Sequence, residues 1–135
     1  MASTSVFQQL LQLTRDEKTF IFMYPEYATA IKESKEAAYV ETRRRFGRNG
    51  QNDYSDAFRH CFWSALLSRD IGYAAALRFT TAHESSPTND PAEREMDLHN
   101  NAVGLKIGRA KGSNQILSHR CMAALNARQL KVIEE

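Results

Sequence analysis

The chain has no apolar run approaching the roughly 20 residues that a membrane-spanning helix needs. Its first residues, Met1-Ala2-Ser3-Thr4-Ser5, lead into glutamine-rich sequence and not into a basic and then apolar leader. Neither a transmembrane segment nor a classical signal peptide is expected, which leaves a cytoplasmic protein or one delivered by a specialised secretion system. An excess of one charge is also lacking. Lys plus Arg number 18 against 16 acids, a net charge of +2, so there is no strong nucleic-acid signal. The local run Arg43-Arg44-Arg45-Phe46-Gly47-Arg48 reads as a solvated helix end that suits the negative pole of the helix dipole. Cysteine is scarce. Cys61 and Cys121 each sit in an apolar helical context, where a free buried thiol is the default. Strand-type alternation is absent, and so are the HExxH and CxxC spacings that announce common zinc sites.

What is present is helical periodicity from end to end. With 135 residues, 42% of them hydrophobic, the chain makes one domain with its own core. The reading is a single all-α domain over residues 1–135, a compact bundle of six to seven helices. Ser3 or Thr4 opens a short helix that buries Val6, Phe7, Leu10, Leu11 and Leu13. Thr14-Arg15-Asp16-Glu17 has the form of a capping box for a second helix, to about Tyr24. Pro25 starts a third, which ends at Gly47 before the Asn49-Gly50 turn signal. Asp53 caps a fourth, about Tyr54 to Ser68. There Ala57, Phe58, Cys61, Phe62 and Ala65 form one face and Asp56, His60, Trp63 and Leu67 nearly the opposite one. A helix apolar on both sides is the central one. A fifth is expected from Asp70 to near Glu84. A sixth opens on Asp90-Pro91 with Glu93 at its third position, and a seventh runs from about Gln115 to Val132.

Three segments carry the polar chemistry: Asp56-Ala57-Phe58-Arg59-His60, His83-Glu84, and Met96-Asp97-Leu98-His99-Asn100-Asn101. Asp56 and His60, spaced i and i+4, point into an apolar interior. Burying that pair costs several kcal/mol unless its polar atoms are matched, so further partners are expected nearby. Asp97, Asn100, Asn101 and Gly104 share a face of the sixth helix, and Gly104 would admit a close neighbour there. The simplest account is one site where three helices meet. Its candidate catalytic residues are His60, Asp97, His83 and Glu84, with Asp56, Arg59, Asn100 and Asn101 in support. His60, His83, Glu84 and Asp97 also have the ligand types of a divalent metal such as zinc. The loop from Ser85 to Asp90, which joins the helices bearing His83 and Asp97, is expected to border the entrance.

DAFRHCFW, AHE and EMDLHNNAVG, in that order, resemble a bacterial domain family of unknown function with DAxRHxxW, HE and MDLxNN motifs. The resemblance spans about Asp53 to Arg109. It implies that Asp56, Arg59, His60, Trp63, His83, Glu84, Asp97, Asn100 and Asn101 are motif positions, and it implies a setting among secreted, wall-associated and contact-delivered toxin proteins. It implies no reaction. Arg59-His60 and Asp97-Leu98-His99-Asn100 are also similar to the paired RHD and DLYN-like segments of bacterial phospholipases A2. Cys61, however, stands where that family has its calcium-binding aspartate, and no glycine-rich calcium loop precedes it. The shared element is a dyad in which Asp97 would orient His60 as a general base.

Two functions follow as expectations. One is a small hydrolase of toxin or effector type, acting on phospholipid, peptidoglycan or nucleic acid and countered by a cognate immunity protein. The other is a non-catalytic binding or immunity-type module whose polar cluster only fixes helix register. A concave pocket reaching His60 and His83 favours the first, and a dry, fully satisfied network the second.

Overall fold

The computed structural model describes residues 13–87 and 89–134, and among them every regular element is helical. The order is α1 (Arg15–Met23), a 3₁₀ turn (Pro25–Tyr27), α2 (Ala28–Phe46), α3 (Tyr54–Ile71), α4 (Tyr73–His83), α5 (Pro91–Arg109) and α6 (Asn114–Asn126). The helix expected from Ser3 or Thr4 begins outside the described residues. Leu13 lies in the bend before α1.

Capping chemistry sets the helix starts. The Thr14 hydroxyl accepts from the Glu17 N–H at 3.1 Å, and the Thr14 N–H donates back to Glu17 Oε1 at 2.9 Å, which completes the capping box. Asp53 caps α3, accepting from the Asp56 N–H, and Asp90 caps α5, accepting from the N–H groups of Ala92 and Glu93. Glu93 does not close a second box. Its carboxylate accepts from Asn52 Nδ2 at 2.6 Å instead.

Two boundaries differ from the sequence reading. Asp70 belongs to α3, which continues to Ile71, and the chain breaks at Gly72, whose φ of 91° few side chains tolerate. The C-terminal helix stops at Asn126, short of Val132, because Arg128 takes a left-handed φ of 60° and turns the chain back. The returning strap docks on α5 and the α2–α3 loop: Gln129 O accepts from His99 Nε2 at 2.8 Å, and Asn52 O accepts from the N–H groups of Ile133 and Glu134.

α3 is the central helix, packed against α2, α4, α5 and α6. Phe58 and Phe62 stack on one side with Phe46, while Trp63 packs on Phe79, and Phe79 on Phe20, on the other. The tightest seam is α3 against α5. A Cβ at Gly104 would collide with the carbonyl oxygen of Cys61, and one at Gly108 with that of Ala65. Two missing side chains one turn apart therefore bring the helix bearing Asp97 into backbone contact with the helix bearing His60. Cys61 and Cys121 are free, buried and adjacent, their sulfurs 3.2 Å apart. Among the described residues no helix is long and apolar enough to cross a membrane. The basic run is mostly paired: Arg44 and Arg45 contact Glu41, and Arg48 contacts Asp53.

Candidate functional site

His60 projects from the second turn of α3. Its Nδ1 faces two acceptors at 3.0 Å, the backbone oxygen of Asp56 and Asp56 Oδ1, so Nδ1 carries a proton and Nε2 is left to face the site. The orienting role expected of Asp97 thus falls to Asp56. Asp56 is itself fixed: Oδ1 also accepts from Arg59 Nη2 at 2.6 Å, and Oδ2 from the Asn52 N–H at 2.7 Å. Arg59 is held further by Gly50 O and lies over the Tyr39 ring. Burial would raise the Asp56 carboxyl, but the bonds from His60 and Asn52 and the charge of Arg59 keep it below the usual carboxylate range.

On the other side of the imidazole, His60 Nε2 meets Asp97 Oδ2 at 3.6 Å and Glu84 Oε2 at 3.9 Å. Both distances are too long for direct hydrogen bonds and short enough for strong electrostatic coupling. Burial disfavours the imidazolium, yet Asp56, Asp97 and Glu84 outweigh it and push His60 up to about 9. At neutral pH without a cation, His60 is therefore a proton donor, not the general base that the dyad comparison implies. Asp97 moves the opposite way from a paired carboxylate. Burial first, then the nearby charges of Glu84 and Asp56, push it up to about 6, with the two histidines only partly offsetting this. Its Oδ1 is buried and has no hydrogen-bond partner among the described residues.

Glu84 caps the end of α4 and is only 3% exposed. Asn101 Nδ2 donates to its Oε2 at 3.3 Å, and Asn101 Oδ1 accepts from the Ser64 hydroxyl at 3.0 Å, so Asn101 bridges α3 and the Glu84 carboxylate. His83 sits at the mouth, its side chain 39% exposed and its ring 5.0 Å from that of Trp63. His83 Nδ1 donates to Glu17 Oε2 at 3.0 Å. Burial works against the Glu17 charge, but His83 and the Thr14 cap hold its carboxyl below the ordinary range.

Glu17 is the member that the sequence reading missed. Its capping-box role already accounted for it, and nothing local marks a carboxylate whose second oxygen reaches across to α4. Asn100 is the reverse case. It lies on the expected face of α5 but is directed at the C-terminal strap, not the site. His60, His83, Glu84, Asp97, Asp56, Arg59 and Asn101 do converge. Of the loop after Glu84, none of the described residues borders the cavity beside the site. A cavity of about 130 Å³ reaches His60 and His83 between α1, α2, α3 and α4, bordered by Leu13, Glu17, Ile31, Lys35 and Tyr39.

Donor atoms from His60, His83 and Glu84 lie within 4.8 Å of one another, and the same holds for Asp56, His60 and Asp97. The first set, extended by Asp97, fits a divalent cation better. Both oxygens of Asp56 are already engaged, whereas Asp97 Oδ1 is an orphaned buried oxygen. Four carboxylates, Glu17, Asp56, Glu84 and Asp97, meet here with Arg59 and, on the cavity wall, Lys35; without a metal the His60 proton adds a third positive charge, which a divalent ion would replace. The donor types suit zinc, with the other ring nitrogen of each histidine held by a carboxylate, as metal-bound histidines usually are.

The family described as Domain of unknown function (DUF6973) matches residues 18–129, and the chain belongs to that family. No curated protein and no solved structure matches the chain.

Proposed function

We propose that this domain is a small hydrolase, of toxin or effector type, built around one divalent cation held by His60, His83 and Glu84. The observation that carries this reading is the convergence of those three side chains, with Asp97 beside His60, next to a cavity that both histidines line. Two further features support it. The orphaned Asp97 Oδ1 and the carboxylate excess are costly if the cluster only fixes helix register, and a purely structural network would satisfy them.

When bound, the cation would act as a Lewis acid toward a carbonyl or phosphoryl oxygen of the substrate. The chain's residues supply the rest. Asp56 and Glu17 fix the two imidazoles by their Nδ1 atoms, and Asn101 fixes Glu84. Asp97, beside His60 with one oxygen not engaged by any group of the described residues, is placed to accept a proton from an attacking water.

The test is metal content and turnover on the purified full chain. One equivalent of zinc or manganese by elemental analysis and titration calorimetry is expected. So is hydrolysis of an ester or phosphodiester chromogenic substrate, lost in His60→Ala, with the wild-type chain slowing bacterial growth on expression more than the variant. Absence of both stoichiometric metal and any turnover would favour the binding-module reading.

A further inference from the structure

We infer that the cavity above the two histidines seats a short apolar group, acyl or aryl, of an uncharged ester or amide. The inference takes the reaction class from the proposed hydrolase but stands on the cavity for the binding. The walls are mostly apolar and come from four elements: Leu13 before α1, Ile31, Ala38 and Tyr39 on α2, Trp63 on α3 and Phe79 on α4. The polar lining consists of Glu17, His60 and His83 together with Lys35 and Arg59. A space of about 130 Å³ is close to the roughly 150 Å³ apolar cavity that accepts a benzene ring. It therefore seats one ring or a short chain of similar bulk.

Trp63 lines this space, but not through its indole N–H, which is buried and has no acceptor among the described residues. Charge narrows the choice further. Of the two cations on the wall, Arg59 is spent on Asp56 and Gly50 O, which leaves Lys35 against the carboxylates below. A nucleic-acid backbone needs several free Lys or Arg contacts, and a glycan needs hydrogen-bonding walls, so neither fits as well as a small apolar group.

Trp63 is the sole tryptophan of the chain, so its fluorescence reports occupancy directly. The test titrates the full chain with primary amides of increasing length, acetamide, butyramide, hexanamide and octanamide, in the presence of a chelator so that neither metal nor turnover contributes. Each methylene that enters the cavity should tighten binding about three- to fourfold. The gain should stop once the space is filled, near hexanamide. Ala38→Leu, which intrudes on the cavity, should weaken hexanamide at least tenfold and leave acetamide unchanged. Should that variant fail to fold, Ile31→Ala gives the opposite readout and moves the plateau to a longer amide. Binding that is independent of chain length, or a stronger response to N-acetylglucosamine or a dinucleotide, would overturn the inference. Graded amide binding without hydrolysis would keep it while removing the hydrolase reading, and hydrolysis without graded binding would do the reverse.

Discussion

Asn100 and Lys131 exchange two hydrogen bonds: Asn100 Nδ2 donates to Lys131 O at 2.9 Å, and the Lys131 N–H donates to Asn100 Oδ1 at 2.8 Å. The side-chain amide thereby stands in for one rung of a strand pair and moors the strap to α5. Its neighbour Asn101 works at the site instead, so two adjacent asparagines divide between structure and chemistry. Asn100→Ala would remove both bonds to the backbone of Lys131, an exposed residue whose groups can turn to water, at a cost of about 1 kcal/mol. The expected result is a lower Tm and fast amide exchange over residues 129–134, with zinc affinity within a factor of about three of wild type. Unchanged exchange in the strap would show that the contacts from Asn52 and His99 suffice to hold it.

Much of this was legible from local chemistry. The Thr14 and Asp90 caps, the two-faced α3 and the convergence of His60, His83, Glu84 and Asp97 follow from short-range pattern and the cost of burying lone polar groups. Two kinds of feature were not. Near Gly72 the apolar period runs on through Ile71 and Ala76, so periodicity does not locate the break, which the sequence reading set early, between Ser68 and Asp70; past Arg128 it continues through Leu130 and Val132, so periodicity alone sees unbroken helix. The assignments of Glu17 to the site and Asn100 to the strap depend on partners 66 and 31 residues away, which no local signal reports.

Asp97→Asn separates stability from chemistry. The wild-type carboxyl is buried, repelled by Glu84 and Asp56, and raised to about 6, so its ionised form opposes folding above that pH. Asparagine removes the charge and keeps the shape. Above pH 6 the variant should melt at the same temperature as wild type or higher, while hydrolysis falls by about two to four orders of magnitude through loss of the proton acceptor. Retained hydrolysis would take Asp97 out of the reaction.

The metal-free protein should lose stability as pH rises. His60 moves from 6.5 when unfolded to about 9 when folded, so the native state binds its proton more tightly. The stabilisation is complete below 6.5 and is lost as pH climbs through about 9, a change of about 3 kcal/mol. In chelator, Tm should fall steadily over that window, and His60→Gln should flatten the fall. A Tm that rises between pH 6.5 and 9 would mean that His60 is neutral in the native state.

On the proposed reading, substrate is expected to approach past α2 and not past the loop after Glu84. Lys35 and Tyr39 border the cavity, whereas Pro87, Asn89 and Asp90 are exposed and away from it. Tyr39→Ala should change KM for a small ester severalfold. Replacing Pro87 by Gly should leave KM unchanged. A larger effect at Pro87 would restore the loop as the approach for substrate.

Glu17→Gln tests whether a residue of α1 tunes a centre built on α3, α4 and α5. Glutamine keeps an oxygen for the Thr14 N–H, so the capping box and the start of α1 should survive with little change in Tm. What it removes is the negative charge against His83 Nδ1, the interaction that fixes the ring and makes it a better donor. Loss of such a partner typically weakens metal binding by about 10 to 100-fold. The expected outcome is zinc affinity reduced within that range at unchanged helicity, with Asp16→Asn, an exposed acid in the same turn, as the neutral control. If both variants bind zinc as wild type does, the Glu17 contact does not tune the metal, and His83 is oriented by its packing against Trp63.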